Sequence, residues 1–276
     1  AAGVGLASGL AVLTKLTGAT AGVVAAATYA LDGIRSATAR SAVARIAVVA
    51  AVVAGLSGWF YARNLLIYGA LQPFGLPAHQ IMFDMPPGER GLIDFVWIPL
   101  ATWTHPNLLD PHLLHSVWGG TYASVWFDAH RYFLPRDSET VTRLGTACLL
   151  LALLPTAAFA VGLAGGLRRS LRDPLAPDTP QLLLVAVTLA GYAVYNWQNP
   201  WFAVVKGTSL LGLSLPFAYY ASDALDRWLQ RGGARALLTW AGLAALTAAV
   251  VLSCSFNLAF EKAEVSGLEW RVPEVR

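Results

Sequence analysis

The sequence predicts an all-α fold: a polytopic transmembrane bundle of about six to seven spans, with a long outer segment of short helices lying in the membrane interface. Three observations predict it. Of the 276 residues 56% are hydrophobic and 13% charged, about half the charged share of a soluble domain, and the mean hydropathy is +0.55. Six stretches are uncharged or nearly so over lengths that can cross a hydrocarbon core, which needs roughly 20 apolar residues and fewer where flanking side chains snorkel. Arginines cluster in every second connection, as the cytoplasmic loops of a multi-span protein require.

Residues 1–13, "AAGVGLASGLAVL", read as a helix cut short. The first residue is not Met and no charged leader precedes an apolar stretch, so the chain reads as the C-terminal part of a longer protein. Spans are expected over 17–32, 46–62, 144–167, 181–199, 207–225 and 236–256. This gives transmembrane helices over 1–62, the first of them truncated, and an extracytoplasmic interfacial segment over 63–143. Four further spans over 144–256 and an extracytoplasmic tail over 257–276 complete the chain.

The arginine groups at 35, 40 and 45, at 168, 169 and 172, and at 227, 231 and 235 mark the cytoplasmic side. The segment 63–143 then faces outwards. The net charge of +3 is a topology signal, with membrane lipids as surroundings and no nucleic acid as partner. Sixteen Arg against three Lys suggest a GC-rich prokaryote, and with it an inner or plasma membrane. Cys148 and Cys254 fall in expected helices, where a Cys behaves as a small buried hydrophobe; two cysteines make no disulfide framework.

The outer segment holds all five histidines, four of the ten tryptophans and seven of the sixteen carboxylates. Its first half, "LQPFGLPAHQIMFDMPPGERG", is rich in breakers and should be irregular. From "LIDFVWIPLATW" onwards aromatics dominate, which suits the headgroup level. Asp110 and Pro111 fit the start of a short helix reaching His115. Gly119 and Gly120 are expected to interrupt it, and Thr121 to cap a second helix. In that helix Thr121, Ser124, Asp128 and Arg131 form a polar stripe, while Tyr122, Val125, Trp126 and Ala129 face another way. On a helix Asp128 and His130 point about 200° apart. Asp128 and His115 are kept as acceptor-site candidates of second rank.

His112 and His115 could share a helix face, with Asp110, Asp128 and His130 near in sequence, but the spacing matches no zinc signature. No metal ligand is assigned and no cofactor is implied, although a divalent metal ion stays open. A nucleophile elbow, a P-loop, a dinucleotide fingerprint and a CxxC pair are absent from the sequence. Lys15, Arg63 and Lys206 sit at the outer ends of spans, where the inside rule does not want cations. They are either snorkelling anchors or contacts for an anionic ligand. No expected span carries an ionisable residue in its middle, which argues against ion-coupled transport.

Three stretches, "GLASGLAVLTKLTGA", "GWFYARNLLIYGALQPFG" and "VVKGTSLLGLSLPFAYY", resemble polytopic glycosyltransferases of the GT-C superfamily. The likeness is to the bacterial branch similar to protein O-mannosyltransferases and lipid A aminoarabinose transferases. It implies transfer of a sugar from a polyprenyl-phosphate donor to a lipid, glycan or protein acceptor at the non-cytoplasmic face of the cell envelope. Lys15, Arg63 and Lys206 then contact the donor phosphate or headgroup, with Asn64 and Tyr68 beside Arg63. Trp118 and Tyr122, on the outer segment placed to line the cavity, complete the substrate-binding candidates. The resemblance puts the catalytic Asp in the first outer loop, upstream of Ala1. At "KGTSLLGL" the chain departs from relatives that carry an aromatic residue or an Arg-Tyr pair after the basic residue, which leaves the ligand of Lys206 open. The alternatives are a lipid-linked-sugar flippase or transporter subunit and a non-catalytic envelope assembly protein.

Overall fold

In the computed structural model, residues 1–71, 90–107, 113, 115–130, 134, 138–199 and 204–264 are described, 256–264 by their backbone alone. Among the described residues all regular structure is helical. The α-helices are α1 (Ala2–Thr14), α2 (Ala19–Arg35), α3 (Ala39–Val53), α4 (Trp59–Tyr68), α5 (Val117–Trp126), α6 (Glu139–Leu151), α7 (Leu153–Arg172), α8 (Asp178–Gln198), α9 (Ser214–Gln230) and α10 (Gly233–Glu264). Short 3-10 turns occupy Leu16–Gly18, Leu92–Phe95, Leu100–Trp103 and Gly207–Leu213, and a π-turn at Ala54–Gly58 joins α3 to α4.

Prolines set several of these boundaries. Pro155, Pro180 and Pro216 each stand third in their helix, α7, α8 and α9. In the first turn the missing N–H costs nothing, whereas in a helix interior it removes a bond and the ring clashes with the preceding turn. This corrects the span expected over 207–225: a helix begun at 207 would hold Pro216 in its interior. Residues 207–213 wind as a 3-10 turn instead, and α9 starts at Ser214 and runs to Gln230.

Three helical stretches among the described residues are long and apolar enough to cross a membrane: Ala39–Tyr68 with 30 residues, Glu139–Arg172 with 34 and Gly233–Ser255 with 23. At about 1.5 Å per residue each exceeds a hydrocarbon core of about 30 Å. The other helices are shorter or less apolar; α1 has 13 residues, α2 and α9 have 17. Leu66 is 86% exposed, and Leu237 and Leu238 are 70% exposed. Apolar surface of this kind does not belong in water, and the chain is membrane-associated.

The chain divides into two compact units. The first comprises 1–85, 159–194 and 212–222. Here α1, α2 and α3 pack against one another pairwise, through small residues that let backbones approach. A Cβ on Gly33 would lie 2.3 Å from that of Ala42, between α2 and α3. A Cβ on Gly18 would lie 2.3 Å from the Ala11 carbonyl oxygen, so the turn after Lys15 closes onto the end of α1 only with glycine there. Asp178, at the start of α8, accepts two hydrogen bonds from Arg169 of α7, 2.8 and 2.7 Å long. These bonds hold the Asp178 carboxyl below the usual carboxylate range. The Tyr220 hydroxyl donates to the Asp178 carbonyl at 3.2 Å, and Phe159 stacks on Phe217 at 5.0 Å.

The second unit comprises 86–158, 195–211 and 223–276. Its core gathers Leu113, Ala123, Phe127, Val141, Cys148, Leu149 and Ala249. Phe127 fills the gap beside Gly145, where a Cβ would meet its ring at 2.6 Å. Arg90 donates to the Asn196 side-chain oxygen at 2.8 Å and ties residue 90 to the end of α8.

Candidate functional site

The site in the second unit is built around α5 and the extended backbone at its C-terminal end. Ser116 caps the helix: its hydroxyl accepts the Gly119 N–H at 3.0 Å and donates to the Trp97 carbonyl at 2.7 Å. The Trp118 indole N–H donates to the Phe95 carbonyl at 2.8 Å. The start of α5 is thereby pinned to the 3-10 turns before it. This corrects the expected cap at Thr121 and the break at Gly119 and Gly120, which lie inside the helix. Thr121 is 4% exposed, its hydroxyl bonded to the Val117 carbonyl, whereas Val125 is 48% exposed. The expected polar stripe is therefore reversed at Thr121: the threonine hydroxyl is satisfied by its own helix and can be buried against the core.

At Phe127 the backbone turns extended, φ −156° and ψ 157°, and α5 ends. Asp128 and His130 lie beyond it, so the 200° separation that a helix would impose does not apply to them. Off the helix the two need not point apart, and both residues line one cavity of about 350 Å³. The helix stops because Phe127 is drawn into the gap beside Gly145. Of the short helix expected from Asp110 to His115, Leu113 and His115 are described and are helical; Asp110, Pro111 and His112 lie outside the described residues, as does Arg131.

The other walls come from two directions. The segment ahead of α9 brings Lys206, Gly207 and Thr208, and α10 brings Val250, Ser253 and Cys254. The Gly207 N–H donates to the Ser124 hydroxyl at 2.8 Å. A Cβ on Gly207 would lie 2.7 Å from Val125 Cγ2 and 2.8 Å from its Cα. Only glycine allows this approach, and it sets Lys206 on the cavity that Asp128 and His130 line. An ammonium, a carboxylate, an imidazole and two serine hydroxyls share one concavity. That set can hold an anion at the ammonium and orient a hydroxyl group at the carboxylate.

The remaining sequence candidates lie elsewhere. His115 is exposed and does not line the cavity. Tyr122 donates its hydroxyl to the Leu149 carbonyl at 2.7 Å and packs its ring on Trp103 at 6.1 Å; burial pushes its phenol up to about 12. Tyr122 and Trp118 thus spend their polar ends on backbone carbonyls. In the first unit Lys15 is exposed, in extended backbone between α1 and the turn at Leu16–Gly18. Arg63 and Tyr68 are exposed on α4, while Asn64 is buried and donates to the Leu71 carbonyl at 3.2 Å. Asp128 and Lys206 are the two candidates brought to the same cavity.

His130, Ser124, Gly207, Ser253 and Cys254 are wall residues that sequence reasoning missed. One signal could have found part of them: a glycine directly after an out-of-place lysine marks a close backbone approach. Cys148 is buried and Cys254 exposed, and neither is in a disulfide. Among the described residues no group of three or more His, Cys, Asp or Glu side chains could hold a metal ion. No family model matches the chain, and neither does a curated protein or a solved structure.

Proposed function

We propose that the chain is part of a membrane glycosyltransferase of GT-C type. It transfers a sugar from a polyprenyl-phosphate donor to a lipid, glycan or protein acceptor. One observation carries the reading: Lys206, the basic residue of a family-like stretch, lines the same cavity as Asp128 and His130. In the transfer the bond from the sugar C1 to the phosphate oxygen breaks, a bond from the acceptor oxygen to C1 forms, and the acceptor proton passes to a base. Lys206 neutralises the charge that grows on the leaving phosphate. Asp128 and His130 face the acceptor and orient its hydroxyl group. The principal base comes from outside residues 1–276, as the resemblance implies. Lys15 and Arg63 are the headgroup contacts proposed for the first unit.

The finer layout belongs to the same proposal. It has six to seven spans in a prokaryotic inner or plasma membrane, with 63–143 on the non-cytoplasmic side. The test is transfer from a labelled polyprenyl-phosphate sugar by the full-length enzyme in membranes. Lys206→Ala should lower turnover about 100-fold, the order seen when one charge-stabilising donor is removed. Lys15→Ala should lower it too, and Asp128→Asn only modestly. Wild-type turnover in both lysine variants would overturn the assignment.

A further inference from the structure

The corner between α9 and α10 holds a second cavity of about 330 Å³ that the sugar-transfer proposal does not use. It is lined by Trp228, Arg231, Arg235, Leu238 and Thr239. Gly232 and Gly233 both adopt left-handed backbone, φ 64° and 63°. Residues with a Cβ rarely take that conformation, so these two glycines turn the chain between α9 and α10. Arg231, just past the end of α9, and Arg235, in the first turns of α10, then open onto the same concavity. The Thr239 hydroxyl donates to the Arg235 carbonyl at 2.9 Å and stiffens that wall.

Among the described residues the lining of this corner carries positive charge alone. No carboxylate among the described residues lines it, and α10 has no acidic residue in its first turn. Asp223, one candidate counter-ion on α9, is paired to Arg227 at 2.7 Å. Arg231 and Arg235 have no ion pair among the described residues. Two guanidinium forks on one cavity match the oxygens of a phosphate.

Depth and flanks identify the source of that phosphate. The corner is the start of the membrane-length stretch Gly233–Ser255, so the guanidinium groups stand at headgroup level. Beside them Leu238, on the cavity wall, and Leu237 next to it are each 70% exposed. They give an acyl chain an apolar track along α10. A free phosphate has no use for that track.

We propose that this corner is a binding site for an anionic phospholipid. Arg231 and Arg235 donate to the phosphate oxygens, Trp228 packs at the glycerol level, and an acyl chain runs along Leu238. The test uses the full chain in detergent, titrated with short-chain phosphatidylglycerol, with phosphatidylcholine of equal chain length, and with inorganic phosphate. Bound lipid is read by native mass spectrometry. Variants are the pair Arg231→Gln and Arg235→Gln, and as an equal-charge control the pair Arg168→Gln and Arg172→Gln on α7.

The corner pair should weaken phosphatidylglycerol binding at least about tenfold, the order expected on losing charge-assisted contacts to an anion. The control pair should leave it unchanged, and phosphatidylcholine should not discriminate between the proteins. Unfolding temperatures in phosphatidylcholine alone establish that the variants are folded. Equal loss in the control pair would reduce the effect to general charge attraction and overturn the site. Unchanged binding in the corner pair would overturn it as well. Displacement of the lipid by millimolar inorganic phosphate would make the corner a plain anion pocket and refute the lipid assignment.

Discussion

Replacing Gly207 by Ala adds one methyl group where the chain has least room. The new Cβ would stand 2.8 Å from Val125 Cα and 2.9 Å from Val125 N, against 3.4–4 Å for ordinary contact. The shortfall is about 0.6 Å at the Cα. The obstructing atoms are backbone of α5, which cannot swing aside as a side chain would, so the segment carrying Lys206 must move away. That movement also stretches the 2.8 Å bond from the Gly207 N–H to Ser124. Overpacking of this kind costs about 1–3 kcal/mol. At roughly 2–4 °C per kcal/mol for a chain of this size, Tm should fall by about 5 °C. The assay is thermal unfolding in detergent, with Gly212→Ala as control, because a Cβ there meets nothing within 4 Å. Sugar transfer should fall more steeply than stability, by up to about 100-fold for a misplacement approaching 1 Å. Identical Tm values for Gly207→Ala and Gly212→Ala would refute the close approach.

Two further predictions concern the framework. Asp178→Asn removes the carboxylate that accepts two bonds from Arg169. Because the folded state depresses that carboxyl, its contribution is fully present above the ordinary Asp value of about 4 and is lost as pH falls through the lower folded value. The Tm gap between wild type and variant, wide at pH 7, should close as acid is added; a gap constant down to about pH 2 contradicts this. Ser116→Ala should cost about 1 kcal/mol through the lost cap. Hydrogen exchange at the Gly119 amide should speed up while exchange in α10 stays slow. Unchanged protection at Gly119 would show that the cap does not hold the turn.

Much of the helical layout could be read from the residues, because apolar runs bounded by Gly, Pro and Arg obey local rules. Pro155, Pro180 and Pro216 mark helix starts by their chemistry alone. The span expected over 207–225 begins too early, because apolar length alone does not register that Pro216 belongs in the first turn of a helix. The start of α5 was harder. Ser116 and Thr121 are both capping residues, and what favours Ser116 is its bond to the Trp97 carbonyl, nineteen positions away. The site was least legible for the same reason. Asp128 and His130 share a cavity because Phe127 leaves the helix to fill space beside Gly145, a packing event between distant positions. Lys206 stood out as a misplaced cation, but its neighbours on the cavity wall depend on the approach of Gly207 to Val125.

The most direct measurement is photo-crosslinking of the full-length enzyme with a polyprenyl phosphate that carries a diazirine next to the phosphate, with peptide mapping of the adducts. Label should fall on 124–130 and 206–208, the walls of the cavity that holds Lys206, and should be lost in Lys206→Ala. Label confined to other segments, or label on these walls that survives Lys206→Ala undiminished, would contradict a donor-phosphate site at Lys206.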